Sequence, residues 1–161
     1  MLKHTTGSRL GAVIIVLAGL IFAPYAIADD KDDVLAAIQR YGDLEGDLDA
    51  QAKFIRDDRV QIFSSVRQSD QAKNLMIQKT VREAGEAVNG GKTKFITTIE
   101  SPQVAIYGNV AVASFVRTFA TFPHNQPANP PGQPTWVTLV LVKEGGDWGI
   151  AHTHQSAAGG N

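Results

Sequence analysis

The sequence contains no cysteine and no strong excess of either charge. Without cysteine, disulfide bonds, thiol catalysis and an acylated cysteine after a leader segment are excluded. The 15 lysine and arginine residues and the 16 aspartate and glutamate residues give a net charge of −1 at pH 7. This balance offers no basic stripe for nucleic acid. The chain also lacks a G-x-S-x-G elbow and a glycine-rich phosphate loop, which argues against serine nucleophiles and nucleotide binding.

The first 28 residues have the three-part plan of a secretory signal peptide. Lys3 and Arg9 precede the unbroken apolar run Leu10–Ala23, and small residues lead up to Ala28. The run has 14 residues, fewer than the roughly 20 that a membrane-spanning helix needs. We therefore expect cleavage after Ala28, with an uncleaved membrane anchor as the alternative.

Removal of residues 1–28 leaves a mature chain of 133 residues. Lys3 and Arg9 are lost, so 13 basic and 16 acidic residues remain and the net charge becomes −3. A chain of this length fills one hydrophobic core. We expect one domain over residues 29–158 and a tail over 159–161, in a periplasm or outside the cell and free of the membrane.

Three helices are predicted in the first part of the mature chain. An apolar stripe at helical spacing marks the first helix, behind the acidic run Asp29–Asp33. A second, from about Leu48 to Ile55, has Asp47 as a possible cap. The third begins at Ser69 or Asp70 and ends before the Asn89–Gly91 turn. The stripe of the first helix is Val34, Leu35, Ile38 and Tyr41, and that of the third is Ile77, Val81, Ala84 and Val88.

Strands follow, because the apolar period changes to two. A first strand is predicted at Arg59–Val66, and β-branched and aromatic segments fill most of the chain beyond Lys92. Turns are expected at Gly108–Asn109 and Lys143–Asp147. Five of the seven prolines fall in Pro123–Pro134, which predicts a stiff loop, either a lid or a surface excursion. Helices before strands indicate an α+β fold with an antiparallel sheet.

In the closing segment "DWGIAHTHQS", two large apolar residues and then two histidines stand at every second position. Successive side chains of a strand point to opposite faces, so Trp148, Ile150, His152 and His154 are predicted to share one face. The two histidines then either belong to the core or face a pocket.

These elements resemble the nuclear transport factor 2-like superfamily. The likeness rests on "YGDLEGDLDAQAKFIRDDRVQIF", "VAIYGNVAVASFVRTF" and "KEGGDWGIAHTHQS" and spans residues 32–157. It is nearest to the SnoaL-like branch and to the association domain of calcium/calmodulin-dependent kinase II. The resemblance implies a cone-shaped, curved antiparallel β-sheet wrapped around three N-terminal helices, with a pocket at the open end. Members include ketosteroid isomerases, polyketide cyclases and scytalone dehydratase, so the site must decide the function.

Arg117 is the first candidate ligand-binding residue. It is the only charged side chain between Glu100 and Lys143, and a guanidinium on an apolar strand face is costly unless it is paired or solvated. The resemblance places it where the association domain has a pocket arginine, although Leu139 stands where a second arginine would be. The alternative is an arginine on the outer face. Predicted ligand-binding companions are Tyr41, Phe63, Phe115, Phe119 and Trp136.

His152 and His154 are the candidate catalytic residues, because imidazole titrates near physiological pH. A metal site is not expected, since only His124 is available as a third ligand. A structural role is the other alternative. Ketosteroid isomerase chemistry is disfavoured, because Phe63 stands where the resemblance implies a carboxylate base.

Three functions therefore remain open at the level of the sequence, all without a cofactor. The first is an exported protein that binds a small, mainly apolar ligand. The second is a cyclase, isomerase or dehydratase that uses His152 or His154 as general acid-base. The third is a homo-oligomeric assembly module. A homodimer is expected, because the strands have apolar residues on both faces and one helical layer covers only one.

Overall fold

The computed structural model describes residues 23–159, with side chains from residue 29 onward. Most of the predicted signal peptide and the end of the tail lie outside the described residues. Within this part the chain forms an α+β fold, in which a curved six-stranded sheet packs its concave face against helices. The predicted fold class is confirmed.

Helices lie close to where the sequence places them. Asp47 accepts a hydrogen bond from the Ala50 amide, and Asp70 accepts one from the Lys73 amide. Gly90, at φ 74°, ends the third helix in the left-handed conformation that glycine adopts cheaply. The helical elements are α1 (Ala23–Asp43), a 3-10 turn (Leu44–Gly46), α2 (Leu48–Ala52) and α3 (Gln71–Asn89). No helix within residues 23–159 combines the length and apolarity needed to cross a membrane.

The strands are β1 (Ile55–Phe63), β2 (Val66–Gln68), β3 (Lys94–Tyr107), β4 (Val110–Phe122), β5 (Thr135–Glu144) and β6 (Asp147–Ala157). Their order in the sheet is β2-β1-β6-β5-β4-β3. Neighbours are antiparallel except for β1 and β6, which run parallel. The predicted first strand splits in two, because a turn at Ser64 and Ser65 separates β1 from β2.

Besides a shift of register between Ile55 and Val60 in β1, two bulges change the alternation of side chains along the sheet. One lies in β3 between Glu100 and Gln103, where Ser101 has φ 51°. The other lies in β6, since Leu141 pairs with Ile150 but Val140 pairs with His152. Ala151 is therefore an extra residue, and side chains beyond it point to the opposite face from that expected by simple parity.

The core lies between α1 and the concave face of β4, β5 and β6. Val34 and Ile38 of α1 are 0% and 1% exposed and contact the sheet. Strand residues that alternate along the concave face complete the core: Ala111, Ala113, Phe115, Val137, Leu139, Leu141, Trp148 and Ile150. These residues place the helices on one face and leave the convex face of the sheet uncovered by helices within the described part of the chain.

Candidate functional site

A polar cavity of about 180 Å³ lies between the helices and the sheet. Side chains from α1, the 3-10 turn, α2, β1, α3, β4 and β6 meet there. Ile55 and Phe63 are its apolar residues. The full lining is Tyr41, Glu45, Gln51, Ile55, Arg59, Gln61, Phe63, Gln78, Arg117 and Gln155.

Arg59 is the most deeply buried charge of this cavity, at 3% exposure. It lies on β1 two residues before Gln61, so both side chains point into the cavity. Burial lowers the pKa of Arg59, while the nearby Tyr41 acts in the opposite direction. No carboxylate in residues 29–159 forms an ion pair with it. Sequence reasoning missed Arg59, although its parity with Phe63 along the predicted strand would have placed both on one face.

Arg117 reaches the cavity from β4, opposite Arg59. One of its terminal nitrogens donates a hydrogen bond to Gln155 Oε1 at 3.1 Å. Its Nε is buried and has no partner among the described residues. The ring of Phe119 lies 5.8 Å from the guanidinium carbon. Two guanidinium groups therefore face one cavity with only neutral or distant partners. Arg117 lines a cavity, and its role in ligand binding stays a prediction.

The side chain of Tyr41 reaches the same cavity from the last turns of α1. Burial raises the pKa of Tyr41 above its ordinary value of 10.0, although attraction to Arg59 and Arg117 opposes that shift. The phenol is therefore protonated near neutral pH and is able to donate a hydrogen bond. Tyr41 thus lines the cavity, and its role in ligand binding stays a prediction.

The single carboxylate of the lining, Glu45, is already occupied. It accepts hydrogen bonds from Arg82 and from Gln51 Nε2, the latter at 3.0 Å. Arg82 also lies 4.2 Å above the ring of Phe95, which fixes its guanidinium away from the cavity. Since Arg82 neutralises Glu45, the cavity keeps an excess of positive charge from Arg59 and Arg117.

His152 and His154 do not line this cavity. They pair with Val140 and Thr138, which lie on the convex face, whereas Thr153 and Gln155 occupy the concave face. The bulge at Ala151 is the cause, because it shifts the alternation of β6 after Ile150. The prediction that the histidines continue the face of Trp148 and Ile150 is therefore wrong. The histidines therefore do not face the cavity that Arg117 lines, while a catalytic role for either stays a prediction.

The predicted aromatic walls divide among four places. Phe63 lines the cavity at its mouth and is 54% exposed. Phe115 belongs to the hydrophobic core, at 2% exposure. Phe119 shares the concave face but stacks on Phe95 at 5.7 Å. Trp136 lies on the convex face opposite Ser156 and is 51% exposed, so its expected place in a pocket wall is wrong.

The proline-rich loop packs against β4 and the end of α3. Asn129 and Gly132 donate backbone hydrogen bonds to Thr121 and Phe119, at 3.1 and 2.9 Å. The His124 ring lies against Gly91, where an added Cβ would stand 2.6 Å from it. The loop contributes nothing to the lining of the cavity, which favours the surface excursion over the lid. Among the described residues no group of three metal-ligating side chains comes together.

Comparisons with known proteins agree with this fold. The family described as SnoaL-like domain matches residues 44–159. No curated protein sequence matches the chain. A nuclear transport factor 2-like protein with a cystatin-like fold from Novosphingobium aromaticivorans is similar in structure, with a TM-score of 0.68, 13% identity, and coverage of 90% of this chain and 94% of that chain.

Two further solved structures come from proteins that are parts of assemblies. The association domain of calcium/calmodulin-dependent kinase II from C. elegans has a TM-score of 0.63 and 16% identity, covering 82% of this chain and 98% of that chain. The beta subunit of benzoate 1,2-dioxygenase from Burkholderia mallei has a TM-score of 0.66 and 12% identity, covering 79% and 89%. At these identities the likeness shows the fold alone.

Proposed function

The chain belongs to the SnoaL-like domain family, and from that premise we propose that it is a binding protein that holds a small anion, of the carboxylate class, in its cavity. The observation that carries this proposal is the pair Arg59 and Arg117. Both guanidinium groups face the cavity, and neither forms an ion pair within residues 29–159. A buried charge without an opposite charge beside it lowers the stability of the protein, and an anion that enters the cavity supplies that opposite charge.

Chemical fit favours a carboxylate. A guanidinium presents a planar fork of donors that matches a carboxylate in two parallel hydrogen bonds. The protonated Tyr41 phenol and the glutamine amides supply further donors for the remaining polar atoms. The sequence predicted a mainly apolar ligand, but the lining supports a polar one, since Ile55 and Phe63 alone offer apolar contact.

Cavity volume limits the size of the ligand. About 180 Å³ is smaller than the roughly 300–1,000 Å³ of pockets that hold drug-sized ligands. A short-chain mono- or hydroxycarboxylic acid fits that space, with its alkyl part towards Phe63 at the mouth.

Binding is favoured over catalysis by what the lining contains. General acid-base chemistry needs a group whose pKa lies near the working pH. The lining holds no histidine, its carboxylate is paired with Arg82, and the pKa of Tyr41 is raised further from neutrality. The enzyme alternative with His152 or His154 would require chemistry on the convex face.

Isothermal titration with small carboxylic acids, each paired with its neutral amide, tests the proposal. We expect saturable binding of at least one acid and at least tenfold weaker binding of the matching amide, because the amide lacks the charge that Arg59 and Arg117 recognise. Equal binding of acids and amides, or no binding by either series, would contradict it.

Export is also part of the proposal, since the first 28 residues have the plan of a signal peptide. The proposed junction after Ala28 lies inside α1. Val34 and Ile38, which pack in the core, and Asp30, which pairs with Lys143, all follow it and are kept after cleavage. Mass spectrometry of the protein from its native host should find Asp29 as the first residue. Retention of Met1 in a membrane fraction would overturn export.

A homodimer through the convex sheet face is the remaining part of the proposal. The outward residues of β4 and β5 between Val110 and Val142 carry no charge, and Val112 and Trp136 are 37% and 51% exposed. A second copy buries such a face by the commonest symmetry. The change Val116→Glu, beside Trp136, should halve the mass of the species that sediments at micromolar concentration. An unchanged mass would contradict this interface.

A further inference from the structure

Gln155 is a buried side chain of the cavity whose amide is held in one orientation. It is 4% exposed and lies on the concave face of β6, between Val137 of β5 and Phe63 of β1. Its Oε1 accepts the hydrogen bond from Arg117 at 3.1 Å. A guanidinium can only donate, so this contact requires the amide oxygen towards Arg117 and leaves the amide nitrogen, Nε2, as a donor. Arg117 therefore sets the orientation of Gln155.

The same contact holds Arg117 in place. Arg117 belongs to β4, and β5 lies between that strand and β6, so its side chain reaches across β5 to meet Gln155. A long arginine side chain loses rotational freedom when it is fixed, which requires a partner that holds it. No carboxylate within residues 29–159 forms an ion pair with Arg117. Gln155 holds the guanidinium as a neutral acceptor, and the positive charge is not cancelled.

A second arginine beside the cavity shows the opposite arrangement. Arg82 pairs with Glu45, a carboxylate of the lining that also accepts a hydrogen bond from Gln51. In that pair each charge neutralises the other, so neither is left for a ligand. Arg117 differs because its partner is an amide, which fixes the group and leaves the charge for an anion.

We propose that Gln155 is the positioning residue of the anion site, with its Oε1 fixing the guanidinium of Arg117 and its Nε2 donating to the same bound carboxylate. This inference rests on the proposed binding of a carboxylate. The two side chains then present hydrogen-bond donors next to each other. A ligand group at this place has to accept hydrogen bonds, which a carboxylate does with both oxygens and an ammonium group does not.

Thermal unfolding of the ligand-free protein measures the coupling between Gln155 and Arg117. Gln155→Glu supplies a carboxylate beside the guanidinium and should raise the Tm at pH 7 by about 4 °C. In the Arg117→Met background this gain should disappear, because no guanidinium then stands beside the new carboxylate. Gln103→Glu is the matched control, since Gln103 is exposed on β3 outside the lining and the change adds the same charge. Equal gains in both backgrounds, or no gain in either, would overturn the proposal.

The pH dependence of that gain is a readout that a merely structural Gln155 would not move. Arg117 should lower the pKa of the introduced carboxyl from its ordinary value of about 4.3. The gain in Tm should then be present above that value and be lost as the pH falls through the lowered pKa. Other charged or titratable side chains of the lining are Tyr41, Glu45 and Arg59, and the wild type measured in parallel accounts for their titration. A gain that is the same at every pH would contradict a contact with Arg117.

Isothermal titration with the carboxylic acid that the wild type binds best separates this inference from the proposed function. Gln155→Met removes both the acceptor and the donor and should weaken Kd about tenfold, while Gln155→Glu should weaken it about 100-fold or more. Gln103→Glu should leave Kd unchanged. If the wild type binds no acid, the proposed function is wrong and this inference falls with it. If the wild type binds and Gln155→Met binds as tightly, only this inference is overturned.

Discussion

Replacement of Arg59 by methionine separates two effects of the buried guanidinium, its destabilisation of the empty protein and its contribution to anion binding. Arg59 is 3% exposed, burial lowers its pKa, and no carboxylate of residues 29–159 forms an ion pair with it. Methionine keeps much of the length of the side chain and removes the charge. Arg59→Met should therefore raise the stability of the empty protein and weaken its affinity for an anion.

The magnitudes follow from the environment of Arg59. Replacing buried charges by apolar groups of similar volume stabilises proteins by about 1–4 kcal/mol, and the nearby Tyr41 lowers the gain, so we expect about 1–2 kcal/mol. This corresponds to a rise in Tm of roughly 4–8 °C for a domain of this size. Loss of one bidentate contact to a carboxylate should cost about 2–4 kcal/mol, which is roughly 30- to 1000-fold in Kd.

Thermal unfolding of the empty protein and titration with the best carboxylic acid measure both effects. Arg56→Met is the matched control, since Arg56 lies on the same strand, pairs with Asp58 and Glu144, and does not line the cavity. The control should leave the Kd unchanged. A lower Tm for Arg59→Met together with an unchanged Kd would refute the reasoning, because Arg59 would then be a structural residue.

Three further predictions concern single side chains. Burial raises the pKa of Tyr41, so the stability that its protonated phenol contributes is present below pH 10.0 and is lost as the pH rises through the folded pKa. Above that pH, the free energy of unfolding measured in urea should fall for the wild type and not for Tyr41→Phe. Thr153 is 0% exposed and its hydroxyl has no partner within residues 29–159, so Thr153→Val should stabilise by about 1 kcal/mol in the same assay. Finally, Arg117→Met should leave the NMR chemical shifts of the His152 and His154 imidazole rings unchanged at a fixed pH, since both lie on the opposite sheet face; changed shifts would contradict that placement.

Local signals in the sequence predicted the elements well. Helix ends and turns depend on side chains and backbone angles only a few residues apart, so one sequence is enough to predict them. Examples are the caps at Asp47 and Asp70, the helix end at Gly90 and the turn at Gly108. The order of helices before strands predicted the α+β class, the resemblance to a known superfamily predicted the curved sheet around the helices, and the family match over residues 44–159 agrees. Arg117 was found because a single charge stands out within an apolar stretch, and Tyr41 because it continues the apolar stripe of the first helix.

Tertiary structure alone decided which side chains meet. A single extra residue at Ala151 moves both histidines to the convex face and brings Gln155 to Arg117, and no local pattern announces it, because a bulge depends on how β6 pairs with β5. Arg59 became a cavity residue only when the parallel pairing of β1 with β6 placed it across from Arg117. The apolar stripe that the sequence predicts on the third helix points outward, because the other side of α3 forms ion pairs with Asp49 and Glu45, about 30 or more residues away in sequence. Within an unbroken helix or strand, sequence periodicity predicts which residues share a face, but only packing between distant segments decides where that face points and where a bulge breaks the alternation.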